Sequence, residues 1–451
     1  MLPELQTPVP GPRSLEAAAK LRRYESRNVT YMDAEFPIFW ERAHGVNVWD
    51  VDGNRFLDWT SAFGVAGLGH TNPAVRDALI AQAGSLLHGM GDVHPTPLKA
   101  ELCARLSTLT FERWGAGRGK VILGNSGFEA VEAALKTALL FSGKPGVIAF
   151  RGAYHGLGYG ALEVAGMPYF REPFRSQLKE FATLLPFPYC ARCPYGETDA
   201  ERLNEGDFPE CSGSCLDKLE AEIEAALAAR PIGAILVEPI QGRGGEIPPP
   251  LDFLRRLRRI CDAHGILLIV DEIYTGFNRT GVLFACEHSG IVPDLICLGK
   301  GLTSGFPLSA CVGREAVMDA WPASNGEALH TSTFLGNPLG CAMALASLEI
   351  HARPSVAEQV AERGRVLKMA LRGLRSPHIV DVRGVGLLVG IELDLDGAAV
   401  NGLVKRALRD GLILLQSGPA GNVLAFTPPF DITDEEIAFT AARLGEYLAG
   451  V

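Results

Sequence analysis

The sequence predicts an α/β fold with a mostly parallel central sheet and a smaller α/β domain at the carboxyl end. Between about residues 75 and 320, short and continuously apolar runs alternate with amphipathic segments; examples begin at Gly146 and at Gly265. Strands that are apolar on both faces and separated by helices indicate a parallel sheet covered on both sides. Ligands bind at the carboxyl ends of such strands, where Asn125, Glu238 and Asp271 fall.

The predicted elements form three groups along the chain. Ser14 to Arg27 is predicted to be a helix, and residues 45–58 alternate around an Asp-Gly-Asn turn, which indicates a β-hairpin. After about residue 335, Ala-rich helical sequence leads to a closing α/β segment. We predict an N-terminal segment over 1–74 that packs with the small domain, a large domain over 75–334, and a small C-terminal domain over 335–451. The large domain would contain a Cys-rich insertion at about 186–216.

Composition excludes several classes of function. The 451 residues are 47% hydrophobic and 21% charged, as expected for a compact globular chain. A net charge of −10 argues against a nucleic-acid partner. The sequence has neither the apolar core of a signal peptide nor a run that could span a bilayer, so we expect a cytoplasmic protein with no membrane partner. Six of the ten cysteines lie in apolar stretches and are expected to be small buried hydrophobic residues.

Lys300 and Asp271 have the surroundings that indicate chemistry. Lys300 stands between two glycines after an apolar stretch, with no charged residue within five positions on either side. An amine in such surroundings can be desolvated, which lowers its pKa and suits it to Schiff-base formation. Asp271 ends an apolar run. Pyridoxal phosphate (PLP) requires such a lysine and a carboxylate beside its pyridine nitrogen, so the pair indicates PLP, although a lone lysine after a strand is more often a solvated loop residue.

Two further segments are consistent with a phosphate site and a stacking ring. A strand ends near Leu123 and a helix begins at Ser126, so N–H groups and the positive end of the helix dipole can face a phosphate. Ser126-Gly-Phe-Glu129 also fits an ordinary capping box, whereas the glycine favours close approach of an anion. Tyr154 follows a strand that ends at Phe150, where an aromatic ring can stack on a cofactor.

Six motifs stand in a fixed order along the chain. They are Ser126-Gly-Phe-Glu-Ala, Tyr154-His-Gly, Glu238-Pro-Ile-Gln-Gly, Asp271-Glu-Ile-Tyr-Thr-Gly-Phe-Asn-Arg-Thr-Gly, Lys300-Gly-Leu and Ser332-Thr-Phe-Leu-Gly-Asn-Pro. In this order they resemble the motifs of the class III aminotransferases, which are PLP enzymes of fold type I. The resemblance covers nearly the whole chain. It implies that the large domain binds PLP and that an amino group passes from an amine or amino acid to a 2-oxo acid, by a ping-pong mechanism through a Schiff base on Lys300.

The same resemblance assigns cofactor roles. It implies that Lys300 moves the proton between Cα of the amino donor and C4′ of the cofactor. Asp271 would pair with the pyridine nitrogen and favour its protonated form, Tyr154 would stack on the ring, and Glu238 would position both the ring and Asp271. The other residues that the resemblance assigns to the cofactor are Ser126, Gly127, Phe128, His155 and Tyr274.

Roles in assembly and substrate binding also follow from the resemblance. Thr333 is expected to reach the phosphate of the neighbouring subunit, which implies a homodimer or a dimer of dimers. Arg383 is the expected partner of a substrate α-carboxylate, through a bidentate fork.

Three positions depart from the family pattern and bear on the substrate. Relatives that act on γ-aminobutyrate, ornithine or acetylornithine often have Arg where this chain has Leu157, and Glu where it has Arg243. Arg243 would either help to bind the acceptor carboxylate or point into solvent. Tyr274 stands where many relatives have Gln, and its phenol can make the same hydrogen bond. These substitutions favour an uncharged side of the pocket, to which Trp59, Phe63 and Leu157 would contribute.

The predicted insertion contains a cluster of cysteines. Cys190-Ala-Arg-Cys193 precedes Cys211-Ser-Gly-Ser-Cys215 in a stretch rich in Pro and Gly. A C-x₂-C pair followed by a C-x₃-C pair is close to the spacing of structural zinc sites, and thiolate pairs also hold Fe–S clusters. Disulfides or free thiols are the alternatives.

An amino-acid racemase or epimerase on the same fold is the alternative function. It would use the same Lys300 and Asp271 but return the proton to Cα from the other face, where Tyr154 or a neighbour would have to act. The sequence leaves both functions open, because both use the same carbanion.

Overall fold

The computed structural model describes residues 1–196, 207–209, 211 and 214–450. None of the helices in this part of the chain has the length and apolar character needed to cross a membrane. The helices are α1 Pro12–Tyr24, α2 Ser61–Gly64, α3 Pro73–Ala83, α4 Pro97–Ser107, α5 Gly127–Ser142, α6 Tyr159–Val164, α7 Pro168–Arg171, α8 Ser214–Ala229, α9 Asp252–His264, α10 Glu315–Met318, α11 Pro338–His351, α12 Pro354–Arg372, α13 Gly397–Arg409 and α14 Asp434–Leu448. The strands are β1 Trp40–His44, β2 Asn47–Asp50, β3 Arg55–Asp58, β4 Gly119–Gly124, β5 Gly146–Phe150, β6 Ala182–Leu185, β7 Ile232–Val237, β8 Leu267–Asp271, β9 Leu295–Leu298, β10 Ser309–Arg314, β11 Ile379–Val385, β12 Leu388–Leu393, β13 Leu412–Ile413, β14 Leu415–Ser417 and β15 Val423–Phe426.

A seven-stranded sheet lies at the centre of the molecule, in the order β4-β10-β9-β8-β7-β5-β6. The strands from β9 to β6 run parallel, whereas β10 runs antiparallel to both of its neighbours. Alternate residues of one strand enter two different cores: Ile148 packs on the side of α8 and α9, and Ala149 on the side of α5. The predicted mostly parallel sheet, buried on both faces, is confirmed.

The strand order brings the chemically interesting residues to one edge of this sheet. Strands β5, β7, β8 and β9 are successive neighbours, so their carboxyl ends lie side by side. Asp271 is the last residue of β8 and pairs in register with Cys297 of β9. Lys300 begins a short 3₁₀ turn just after β9. Residues far apart in the sequence therefore meet at the edge where ligands bind in parallel sheets.

Two four-stranded sheets accompany the central one. The hairpin strands β1, β2 and β3 pair with one another, and β13 joins β3 in parallel, so the amino end shares a sheet with residues near 412. Strands β11, β12, β15 and β14 form the other sheet. Trp59 is fully buried in the apolar core between these sheets and their helices, with its ring edge-on to Phe426 at 5.7 Å. This packing corrects the expectation that Trp59 lines the substrate pocket.

Arg279 joins the central sheet to the smaller ones. Its buried guanidinium donates to the carbonyls of Leu387 at 3.1 Å and Pro428 at 2.6 Å, and lies 4.7 Å from the centre of the Phe430 ring. Burial lowers the pKa of Arg279 to about 10. Because both carbonyls belong to the C-terminal part of the chain, this one side chain fixes how the loop after β8 meets that part.

Two helical glycines give a matched test of this packing. A Cβ on Gly364 of α12 would lie 2.2 Å from the carbonyl oxygen of Gly386, whereas one on Gly402 of α13 would meet nothing within 4 Å. Gly364→Ala should destabilise the protein by about 1–3 kcal/mol because the helix must move away from the β11–β12 turn. Gly402→Ala, the control, should stabilise it by roughly 0.5–1 kcal/mol because alanine favours helix. Urea midpoints measure both changes, and equal midpoints for the two variants would contradict the close approach.

Candidate active site

Lys300 is a partly desolvated amine held in strained backbone. Its φ of +43° lies in the left-handed region, which is unusual for a residue other than glycine and is frequent at functional sites. Its Nζ lies 3.8 Å from the centre of the Tyr274 ring. Burial lowers the pKa of Lys300 to about 8, although the charges of Asp271 and Glu238 act in the opposite direction. A substantial fraction of the amine is therefore unprotonated near neutral pH, as nucleophilic chemistry requires.

The Asp271 carboxylate is buried and held by two neighbours. Its Oδ2 lies 2.7 Å from Nδ1 of His155, and its Oδ1 accepts the N–H of Ile273 at 3.1 Å. Burial acts to lower the pKa of His155, but Asp271 and Glu238 raise it above its ordinary value. Nε2 of His155 is buried with no hydrogen-bond partner in the described part of the chain. His155 therefore orients the carboxylate from the side of the loop after β5.

Glu238 ties two of the strand-end loops together. Its carboxylate accepts the N–H of Tyr154 at 2.7 Å and the N–H of Gly242 at 2.8 Å. Burial raises the pKa of Glu238, and the charge of Asp271 adds to that rise. The loops after β5 and β7 are thus fastened to each other beside Asp271.

The start of α5 leaves an unpaired hydroxyl at a helix N-terminus. The Glu129 carboxylate accepts the N–H groups of Asn125 and Ser126, the latter at 3.1 Å. Oγ of Ser126 is buried and has no hydrogen-bond partner among the described residues. A Cβ on Gly127 would lie 3.0 Å from Ile273 Cδ1, so the helix approaches the loop after β8 closely. The predicted cap is thus made by the Glu129 carboxylate, and the buried Oγ of Ser126 has a geometry that suits an anion at the start of the helix.

Two tyrosines border the Lys300 amine and the Glu238 loop. The half-buried ring of Tyr154 packs edge-on against Phe170 at 5.4 Å. The hydroxyl of Tyr274 lies 3.3 Å from Oγ1 of Thr427, and burial raises the pKa of Tyr274 to about 12. A Cβ on Gly242 would lie 2.3 Å from the Tyr274 ring, so only glycine leaves room for it.

Several predicted residues are exposed. Phe63 and Leu157 are at least half exposed, Phe128 is also exposed, and Phe63 lies in a left-handed stretch that begins at Ser61. Thr333 is exposed, and its neighbour Ser332 accepts a hydrogen bond from Asn125 at 3.2 Å. The segment that carries Thr333 thus touches the loop before α5 of its own chain, while Thr333 faces outward.

Arg383 lies in a buried network that the sequence analysis missed. Its Nη1 contacts Asp381 at 3.1 Å, Glu392 at 2.8 Å and the hydroxyl of Tyr189 at 2.6 Å. Burial acts to lower the pKa of Arg383, but these three neighbours raise it. Alternation along β11 places Asp381 and Arg383 on one face, so their proximity could have been found in the sequence. The contact with Tyr189 could not, because 194 positions separate the two residues.

Arg243 is arranged differently. Its side chain is exposed. Within the part of the chain that the structure describes, the guanidinium forms no hydrogen bond and no ion pair. Its Cζ lies 5.6 Å from the centre of the Phe170 ring.

The four cysteines of the insertion approach one another. Burial and the nearby thiols of Cys193 and Cys211 raise the pKa of both Cys215 and Cys190, the latter to about 12. All ten cysteines are free. Within residues 1–196, 207–209, 211 and 214–450, no group of three potential ligands has an arrangement that could hold a metal ion. The geometry therefore gives no support to the expected zinc or Fe–S site.

Comparison with known proteins decides the family. A family model described as aminotransferase class-III matches residues 29–448. The chain belongs to the class III aminotransferases. It is 36% identical over 445 residues to a 4-aminobutyrate aminotransferase of Mycobacterium leprae, a match that covers 96% of this chain and 95% of the relative. It is 37% identical over 425 residues to a 5-aminovalerate aminotransferase of Pseudomonas aeruginosa, covering 91% and 93%. An amine transaminase from an uncultivated Pseudomonas species, in its PLP-bound form, matches with a TM-score of 0.83 and 30% identity over 95% of this chain and 98% of that one.

Class III aminotransferases use PLP, and the residues of this site fit it. The unpaired Oγ of Ser126 and the start of α5 suit a phosphate. The buried Asp271 suits a pyridine nitrogen, and the desolvated amine of Lys300 suits an aldehyde. The protein is thus a PLP-dependent aminotransferase of fold type I that takes an amino donor and a 2-oxo acid. The relatives named above are aminotransferases or transaminases, which favours transamination over the racemase alternative.

The lowered pKa of Lys300 predicts how cofactor loading of this aminotransferase depends on pH. The amine reacts with the aldehyde only when unprotonated, and that fraction grows as the pH rises through about 8. The rate at which PLP binds to the apoenzyme can be measured by the visible absorbance of bound PLP. This rate should increase about fivefold from pH 7 to 8 and less than about twofold from pH 8 to 9. The same series with a blocked lysine peptide corrects for the titration of free PLP. A rate that rises nearly tenfold per pH unit all the way from pH 7 to 9 would indicate an ordinary lysine.

Proposed function

We propose that this aminotransferase removes amino groups from the terminal carbon of its donors. The relatives named for 4-aminobutyrate and 5-aminovalerate act on compounds whose amine stands at the far end from a carboxylate. The exposed side of the site agrees with such linear donors, because Leu157 and Phe63 give it apolar surface. The observation that carries the proposal is the similarity over more than nine-tenths of the chain to these two relatives, and the desolvated Lys300 amine over the Tyr274 ring is the group that would act on such donors.

Lys300 and Asp271 are the proposed catalytic residues. When bound, PLP supplies an electron sink for the carbon that bears the amino group. Nζ of Lys300 accepts the proton from that carbon and returns it to the cofactor side, a task for which a pKa near the working pH is best. The Asp271 carboxylate holds a proton on the pyridine nitrogen, and His155 keeps the carboxylate in place through the 2.7 Å contact.

The other predicted residues position the cofactor. In this proposal Tyr154 stacks on the ring, while Glu238 holds its main chain at 2.7 Å. Tyr274 packs beneath the Lys300 amine, and its hydroxyl would donate a hydrogen bond to the ring oxygen. The start of α5 would hold the phosphate through the hydroxyl of Ser126 and the N–H groups of Gly127 and Phe128.

Substitution of the two catalytic residues tests this assignment. Lys300→Ala and Asp271→Asn should each lower the transamination rate with 5-aminovalerate by a factor of about 10²–10⁴, because each removes a proton-transfer or charge-stabilising group. Both variants should still be stabilised by PLP in thermal unfolding, since the phosphate site is intact. Lys179→Ala, which changes an exposed lysine, is the control and should keep wild-type rates. Turnover by Lys300→Ala near the control rate would overturn the proposal.

We also propose that the chain works as a homodimer in which Thr333 reaches the neighbouring site. Exposed apolar side chains on two touching segments support this, because Leu87, Met90 and Phe334 are each more than half exposed. The segments touch through the rings of His88 and Phe334, 5.2 Å apart. A contiguous exposed apolar surface is typical of an interface between proteins.

We further propose that the protein works in a reducing compartment such as the cytoplasm, because all ten cysteines are free thiols.

A charge placed in the apolar surface tests the dimer. Phe334→Asp should shift the protein from dimer to monomer in light scattering at micromolar concentration and reduce its retention of PLP, because the Thr333 segment loses its partner. Met369→Asp changes a side chain of similar exposure, 61% against 58%, on α12 and should leave the dimer intact. A wild-type protein that is monomeric at this concentration would refute the proposal.

A further inference from the structure

Arg383 and Arg243 are candidates for binding a substrate carboxylate. Arg383 already has partners within the protein. Nη1 of Arg383 contacts Asp381, Glu392 and the Tyr189 hydroxyl within 3.1 Å, and its Nε donates to the carbonyl of Gly245 at 2.9 Å. Only 7% of its side chain is exposed. The hydroxyl of Tyr189 donates in turn to Glu392, so the contacts form a ring of hydrogen bonds.

This network is also balanced in charge. Arg192 pairs with the second oxygen of Glu392, so two guanidinium groups face the carboxylates of Asp381 and Glu392. Glu246 is buried nearby, and burial raises its pKa to about 8, which leaves it mostly uncharged at neutral pH. A substrate that drew Arg383 away would leave a buried carboxylate without its partner, which is strongly unfavourable.

Arg243, the second arginine, has a fixed main chain and a free guanidinium. Its carbonyl accepts the N–H of Gly418 at 3.1 Å and the hydroxyl of Ser417 at 3.3 Å. Its guanidinium lies over the ring of Phe170, which packs against Tyr154. Among the described residues it has no carboxylate partner, so binding an anion breaks no existing pair.

The charge of Arg243 also acts on the reacting groups. After burial, it is one of the positive charges that lower the pKa of Lys300. It opposes the rise that burial causes in the pKa of Tyr154. Arg243 thus carries its charge within electrostatic range of the Lys300 amine and of Tyr154.

We propose that Arg243, and not Arg383, binds the carboxylate of the substrate and selects donors that carry a carboxylate opposite their terminal amine. The inference rests on the proposed function, because it names the residue that recognises donors with a terminal amine. The planar fork of an unpaired guanidinium can hold a carboxylate by two parallel hydrogen bonds. Arg383 is then a positioning residue that joins β11 to the insertion.

Binding of valerate, which has the carboxylate but no amine, tests the site without turnover. Valerate is titrated into the holoenzyme, and its Kd is obtained from the rise in melting temperature. The Kd should be about 10- to 100-fold higher for Arg243→Gln than for the wild type. Arg243→Lys should fall between them, because lysine keeps the charge and loses the fork. Arg375→Gln removes an exposed arginine from the loop between α12 and β11 and should keep the wild-type Kd.

Donor selectivity separates Arg243 from Arg383. The ratio of kcat/KM for 5-aminovalerate to that for pentylamine should fall about 10- to 100-fold in Arg243→Gln. Tyr189→Phe removes the hydroxyl between Arg383 and Glu392 without leaving a buried charge unpaired, and should keep the ratio within about twofold. An unchanged valerate Kd and ratio in Arg243→Gln, or an equal loss in Tyr189→Phe, would overturn the inference. A wild type that turns over neither amine would instead overturn the proposed function, and the valerate titration would still decide the role of Arg243.

Discussion

The buried carboxylate of Asp271 is the constraint on which the rest of the site depends. A carboxylate at the end of an apolar strand is unfavourable unless donors surround it, and His155 and the N–H of Ile273 are those donors. To supply His155, the loop after β5 must fold over the edge of the sheet, where Glu238 holds it through the N–H of Tyr154. This loop geometry follows from the strand order, because β5, β7 and β8 are neighbours. One buried charge thus determines where Tyr154 lies.

The sequence predicted the parts of the site that short local patterns encode. Asp271 and Lys300 each follow a buried run, and parallel strands bring such positions together at one edge. The helix start at Ser126 was predicted because the serine and glycine that open it are adjacent in the chain. The contact between His155 and Asp271 was not, because it joins residues 116 positions apart and depends on the path of a loop. The antiparallel direction of β10 was equally inaccessible, since an apolar run carries no mark of its direction.

Long-range pairing also explains contacts that could not be found in the sequence. Trp59 was expected to contribute to an apolar side of the substrate pocket, but it is buried against Phe426, which belongs to β15. Arg383 was expected from the family resemblance to bind a substrate carboxylate, and its partners within the protein were not recognised. Asp381 is two residues away on the same strand, and Glu392 stands opposite Asp381 on β12. The contacts of Arg383 within the β11–β12 hairpin could be predicted from the alternation of side chains along the strands. The contact with Tyr189 could not, because Tyr189 belongs to the insertion.

The insertion and the substitution at position 243 are two parts of one electrostatic arrangement. The family pattern often places a glutamate at 243, where it can pair with the equivalent of Arg383. In this chain Asp381 and Glu392 neutralise Arg383, and the insertion adds Tyr189 and Arg192 to the same network. Because Arg383 no longer needs a glutamate at 243, that position can carry a positive charge without leaving Arg383 unpaired.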